Sequence, residues 1–124
     1  MINCTSHFLL PAFLPAGIFL ICAILSFATG SSWGTFAIAM PLALPMAYNV
    51  TNNEVTLLVV SCFAAVAGGG VFGDHCSPVS DTTIMSSMGA GADHIDHVKT
   101  RIPYALTVAV ITFFMYLIIG FAAI

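Results

Sequence analysis

The sequence predicts an all-α integral membrane protein with about three or four membrane segments, some of them broken or re-entrant. Three observations carry that expectation. Of the 124 residues, 60% are hydrophobic and 6% are charged, and mean hydropathy is +1.07, whereas soluble globular domains carry about 25% charged residues. The apolar residues fall into runs that approach or reach the roughly 20 residues a helix needs to cross a bilayer. Those runs are interrupted by small, hydroxyl-rich stretches, TGSSWGT at 29–35 and GDHCSPVSDTT at 73–83. The chain from 1 to 124 reads as a single transmembrane domain whose first partner is the lipid bilayer. Its net charge of -3, with Lys99 and Arg101 as the only basic residues, leaves no patch for nucleic acid. Cys4, Cys22, Cys62 and Cys76 form no CxxC pair, so no disulfide framework is expected.

The first predicted span runs from Phe8 to Thr29, with Pro11 and Pro15 in its first turns, where a missing amide proton costs least. No lysine or arginine precedes it, as a cleaved leader would require, so it reads as a retained span. Gly30, Gly34 and the surrounding hydroxyls weaken the helix there. Helicity is expected to resume near Phe36 and run to about Tyr48, interrupted by Pro41 and Pro45, a piece too short to be a comfortable span alone. Trp33 suits an interfacial anchor. The polar run from Asn49 to Glu54 belongs in water, with Asn53 as the predicted N-cap of the next helix. That helix continues through Gly68, Gly69 and Gly70, which either loosen it or admit a close neighbour.

Pro78 fixes the centre of the chain. Within a continuous helix it would lose a hydrogen bond and crowd the carbonyl of Asp74, and it pushes Ser77 toward an extended conformation. The helix is therefore expected to end near Gly73, and a new one to begin at Ser80 or Asp81 with Ser80 as N-cap. Residues 89–101 hold Asp93, His94, Asp96, His97, Lys99 and Arg101 and read as a solvent-exposed loop. The two basic residues assign this loop to the cytoplasm by the positive-inside rule. Pro103 is expected to open the last span, which ends at Ile124.

Charges in a bilayer cost roughly 2.5 to 3.5 kcal/mol each on insertion scales, so intramembrane carboxylates mark function. A break at Pro78 lets Asp74 and Asp81 approach from opposite helix ends. Together with Ser77, Ser80, Thr82 and Thr83 they offer only oxygen, the ligand that a hard cation such as sodium prefers. A carboxylate taken out of water also binds a proton more readily, so proton and sodium can compete for one site. His75 is the candidate relay or orienting partner. Ser31, Ser32 and Thr35 in the other break are read either as a plain turn or as supporting oxygens. Short or interrupted hydrophobic segments in matching positions are a sequence pointer to the substrate site of a secondary transporter.

The run from Gly73 to Ser87, GDHCSPVSDTTIMSS, closely resembles the signature of the NhaC family of sodium/proton antiporters, usually GDHCSPISDTTILSS, with Val79 and Met85 as conservative replacements. The run ATGSSWGTF at 28–36 resembles a second family element. A third such stretch is HIDHV at 94–98, followed by Pro103, Tyr104 and Ala105. The resemblance implies a multi-pass carrier of the cell membrane, that of bacteria above all, exchanging Na+ for H+, with relatives that also exchange organic anions. It implies no cofactor beyond the transported ions. Family members are longer, so the chain corresponds to a C-terminal part with one repeat: a fragment, one half of a split carrier completed by a second repeat from another chain, or a half that forms a homo-oligomer.

Two other classes compete. A small accessory membrane subunit would have no transport of its own. An intramembrane aspartyl protease would need a GxGD sequence and an aspartate on another span; Gly70 to Asp74 is off by one and Asp81 lies in the same motif. His94 and His97 lack a third ligand for zinc and read as solvated, with pH sensing open to them.

Overall fold

The computed structural model describes the backbone of residues 2–51 and 53–122, and the side chains of those from residue 12 onward. Five helices follow one another: α1 (Ile2–Thr29), α2 (Ser32–Val50), α3 (Leu57–Cys76), α4 (Asp81–Ala90) and α5 (His94–Ala122). No strand occurs among the described residues. Among the described residues, three helices contain stretches long and apolar enough to cross a membrane, Ala12–Thr29, Leu57–Cys76 and His94–Ala122. The all-α membrane architecture expected from composition is therefore the one observed.

Several boundaries differ from expectation, each for a physical reason. α1 starts at Ile2, because no glycine or proline interrupts residues 2–7, so Pro11 and Pro15 lie inside the helix. α2 starts at Ser32, four residues before Phe36, because the Ser31 hydroxyl accepts the Gly34 amide at 3.3 Å and caps it. It runs unbroken through Pro41 and Pro45, which lie on its exposed side, away from the stripe of Thr35, Ala39, Ala43 and Ala47 that it buries. Asn53 is not the N-cap of α3. Its φ of 65° is left-handed and its amide donates to the Tyr48 carbonyl, so it closes α2, and Thr56 occupies the N-cap of α3.

α3 continues three residues beyond Gly73, because the constraint of Pro78 acts on Ser77 (φ -70°, ψ 133°) and leaves Asp74, His75 and Cys76 helical. The predicted loop at 89–101 is mostly helix. Gly91, at φ 65°, ends α4, and α5 begins at His94 and carries through Pro103, whose ring is exposed, as is Lys99, the residue four positions before it. The last two residues of the predicted span lie outside the described residues.

α3 is the centre of the bundle and touches all four other helices. A shared core joins Phe19 and Cys22 of α1, Ala39, Ala43 and Ala47 of α2, and Val59, Cys62, Ala65 and Val66 of α3. The glycine run resolves in favour of close approach. A Cβ on Gly69 would stand 2.6 Å from the Phe19 carbonyl oxygen and 2.8 Å from the Cys22 Cβ. Gly73, one turn on, lies against the backbone of Ser26 and Phe27. Small residues four apart are the geometry by which membrane helices bring their backbones together. Cys22, Cys62 and Cys76 are free and buried; the Cys4 side chain lies outside the described residues.

Replacing Gly69 by Val is expected to destabilise the fold by about 1 to 3 kcal/mol through overpacking against α1 backbone. Gly89→Ala, where a Cβ meets nothing within 4 Å, is expected to be neutral or stabilising. Thermal unfolding of the detergent-solubilised chain compares the two, and equal effects would refute the close α1–α3 contact.

Candidate functional site

The two hydroxyl-rich interruptions meet in space. Gly30, the residue between α1 and α2, has φ +69°, and a Cβ there would lie 2.9 Å from the Val79 carbonyl carbon and 3.1 Å from the Ser80 nitrogen. The peptide between Val79 and Ser80 belongs to the extended link between α3 and α4. Glycine is required at position 30 both for its left-handed conformation and for the space that peptide occupies.

Two reciprocal hydrogen bonds secure this junction. Ser26 Oγ on α1 donates to the Gly70 carbonyl at 2.5 Å, and Ser77 Oγ, beyond α3, donates to the Phe27 carbonyl at 2.8 Å. Phe27 lies in the last turn of α1, where carbonyls lack intrahelical partners, so Ser77 caps α1. Ser77 Oγ also accepts the Val79 amide at 3.3 Å.

Asp74 stands in the last turn of α3, half-buried, and its Oδ1 accepts a bond of 2.5 Å from Ser80 Oγ. Ser80 Oγ is 2.8 Å from Thr82 Oγ1. Ser80 is the N-cap of α4 as expected, but its hydroxyl makes no capping bond, because Asp74 takes it. Thr82 and Thr83 each send a hydroxyl to the Asp74 carbonyl, at 3.4 and 3.3 Å, and Thr83 also reaches the His75 carbonyl at 3.3 Å. A carboxylate, three hydroxyls and two carbonyls thus converge where α3 ends and α4 begins. Carbonyls at a helix C-terminus carry partial negative charge, so the local field is one that attracts a cation.

The remaining predicted residues lie farther from this centre. Asp81 opens α4 and is exposed, with no hydrogen bond to Asp74. The ring of His75 is exposed and bonds neither carboxylate; with Arg101 and Tyr104 it lines a cavity of about 420 Å³ among α1, α3 and α5. Ser31 caps α2, the buried Thr35 donates to the Ser31 carbonyl at 3.0 Å, and Ser32 is half-buried. Trp33 is 81% exposed, as suits an interfacial residue.

His94, read from the sequence as a solvated loop residue, is half-buried at the start of α5; its Nε2 donates to the Pro78 carbonyl at 2.7 Å, and its Nδ1 is 3.3 Å from Ser87 Oγ, contacts that the sequence did not suggest. The signal was the polar, helix-opening position of HIDHV, close in sequence to the end of α4.

Gly30→Ala is expected to cost about 1 to 2 kcal/mol from the left-handed backbone alone, with further loss as the Val79–Ser80 peptide is displaced. Ser77→Ala, which strips the Phe27 carbonyl of its donor, is expected to cost about 1 to 3 kcal/mol. Equilibrium unfolding in mixed micelles measures both, and an unchanged Gly30→Ala variant would contradict the contact between the two interruptions.

Comparison with known proteins adds an independent line. The profile of the Na+/H+ antiporter family matches residues 3–121. The chain is 52% identical over 109 residues to an uncharacterized protein of Haemophilus influenzae, covering 88% of this chain and 20% of that protein. It is 31% identical over 115 residues to the malate-2H(+)/Na(+)-lactate antiporter of Bacillus subtilis, covering 93% of this chain and 24% of the relative. It is 33% identical over 113 residues to the Na(+)/H(+) antiporter NhaC of Alkalihalophilus pseudofirmus, covering 89% and 23%. The chain therefore spans about a fifth to a quarter of the length of these relatives. No solved structure matches it. With a family match across nearly its whole length and the family's signature at the break between α3 and α4, the chain belongs to the Na+/H+ antiporter family.

Proposed function

We propose that this chain carries an ion-binding part of a secondary transporter that exchanges Na+ for H+ across the cell membrane. The observation that carries the reading is the bond from Ser80 to the Asp74 carboxylate at the break between α3 and α4. Asp74 alternates between proton and sodium, and Ser80 and Thr82 supply the nearest further oxygens. Asp81, Ser77 and Thr83 complete the set when the break rearranges around the ion. His75 and the hydroxyls of Ser31, Ser32 and Thr35 support the site from its flanks. Hard oxygen ligands suit sodium, and a carboxylate at the end of a half-helix suits a site loaded by either cation.

The relative named for malate and lactate exchange supports a small organic anion as an additional cargo. An inverted-repeat carrier moves one repeat against another, so the working unit includes a second repeat, from the remainder of a longer chain, from another chain or from a second copy of this one. Lys99 and Arg101 support a cytoplasmic start of α5 by the positive-inside rule.

Proteoliposomes loaded with a pH dye test the reading, using the chain alone and with a partner half. A sodium gradient is expected to drive proton flux, Asp74→Asn to reduce it to background because an amide exchanges no proton, and Asp81→Asn to raise the sodium concentration required. If no sodium-driven flux appears and the chain instead copurifies with a larger complex, it is an accessory subunit. If an active carrier is indifferent to Asp74→Asn, the site lies elsewhere.

A further inference from the structure

The two basic residues of the chain, Lys99 and Arg101, stand two positions apart on α5, and at about 100° per residue they leave the helix on opposite sides. Lys99 is exposed. Arg101 is half-buried and turns toward α3, where its Nη1 donates to the His75 carbonyl at 3.4 Å. That bond leaves most of the guanidinium hydrogens free for another acceptor. Beside Arg101, α3 and α5 part into the cavity of about 420 Å³, which runs on α3 from Gly68 to His75 and on α5 from Arg101 through Val108 to Thr112. Arg101 is the sole permanent charge in this lining, and no carboxylate shares it. At the far end the Thr112 hydroxyl already donates to the Val108 carbonyl at 2.8 Å. The cleft is therefore cationic at its mouth and apolar along its length.

The position of the cleft along α5 says what environment it meets. No charged residue follows Arg101 in the sequence, so Arg101 marks the level at which α5 enters hydrocarbon, and the exposed Tyr104 one turn on suits that interface. From Arg101 to Thr112, at 1.5 Å per residue, the cleft is about 16 Å long, the depth of one leaflet of a hydrocarbon core about 30 Å thick. Val71, Tyr104 and Val108 on its rim are exposed, so it opens sideways to the bilayer. We propose that this cleft binds an acidic phospholipid, with the phosphate on Arg101 and an acyl chain lying between α3 and α5. Basic pockets between membrane helices recognise acidic headgroups, and a guanidinium meets two phosphate oxygens in a bidentate pair. An acidic lipid presents that phosphate without the ammonium group of a zwitterionic one. The His75 ring and the Tyr104 hydroxyl supply further donors at the mouth. A small dicarboxylate suits the cleft poorly, because its second carboxylate would face apolar walls. The neighbouring cavity of about 690 Å³ between α1 and α5 has only apolar side chains and the Cys76 thiol in its lining, so it takes hydrocarbon without choosing among headgroups. The lipid site does not rest on the antiport reading.

Native mass spectrometry of the detergent-solubilised chain, titrated with phosphatidylglycerol or with phosphatidylcholine of the same acyl chains, tests the site without requiring transport. The wild type is expected to bind one phosphatidylglycerol about fivefold to tenfold more tightly than phosphatidylcholine. Arg101→Gln is expected to bind the two equally, and Arg101→Lys to keep part of the preference, which separates loss of charge from loss of fold. Lys99→Gln, on the other side of α5, is expected to keep the preference. Val108→Trp, which fills the cleft, is expected to lose the preferred lipid, whereas Leu106→Trp, in the apolar cavity alone, is expected to retain it. Equal affinities in the wild type, a preference that survives Arg101→Gln or Val108→Trp, or one lost to the same extent in Lys99→Gln would each overturn the proposal. So would displacement of the lipid by excess malate or glycerol phosphate, which would make the occupant a soluble anion, or a lipid-free dimer, in which a second copy covers the cleft. Sodium-driven proton flux measured separately can fail without affecting this result.

Discussion

The close passage of α1 against α3 is the constraint on which the rest depends. Gly69 and Gly73 leave no side chain between the two backbones, and Ser26 and Ser77 tie carbonyls across the gap. Because the helices are in contact as far as Phe27, the end of α1 is delivered to the end of α3. There the left-handed Gly30 accommodates the Val79–Ser80 peptide. The encounter of the two interruptions is a consequence of packing one turn earlier, and it places Asp74 beside the link that Pro78 opens between α3 and α4.

Broken helices expose carbonyls and amides that a bilayer does not solvate, so each must find a partner within the protein. The hydroxyls of this region serve that need. Ser77 caps α1, Ser31 caps α2, and Thr83 covers two carbonyls at the end of α3. Ser80 is the exception, for its hydroxyl is turned to a carboxylate and leaves the start of α4 without a side-chain cap. Giving up a cap costs about 1 kcal/mol, and here the hydroxyl that does so is bonded to the Asp74 carboxylate instead.

Much of this was legible in the sequence. Composition announces the membrane, Pro78 announces the break, and the position of Ser80 as N-cap follows from Pro78. The glycine run declared that something unusual happens at 68–70 but not which alternative, because only the opposing face of α1 decides it. The errors share one cause. Asn53, Pro41, Pro45 and Pro103 carry strong local signals, and each was overruled by the longer helices around it. His94 was misjudged because its partners, Pro78 and Ser87, lie sixteen and seven residues away, and charge density alone suggested water.

The parts of the site are held by forces of different kind, and this bears on how it could move. α1, α2 and α3 share an apolar core, and separating them would expose that surface and open the glycine contact. α4 buries only Thr83 and Ser87, both polar. Its position is therefore set by hydrogen bonds to Asp74, His75, Ser80 and His94 rather than by apolar burial, and each is worth only about 1 kcal/mol net. Such bonds can be exchanged one for another when a proton leaves or a cation arrives, whereas a packed core shifts only as a whole. With the carboxylate on the rigid helix and the hydroxyls on the lightly held one, a cation bound at Asp74, as proposed above, would shift α4 before it shifted the core.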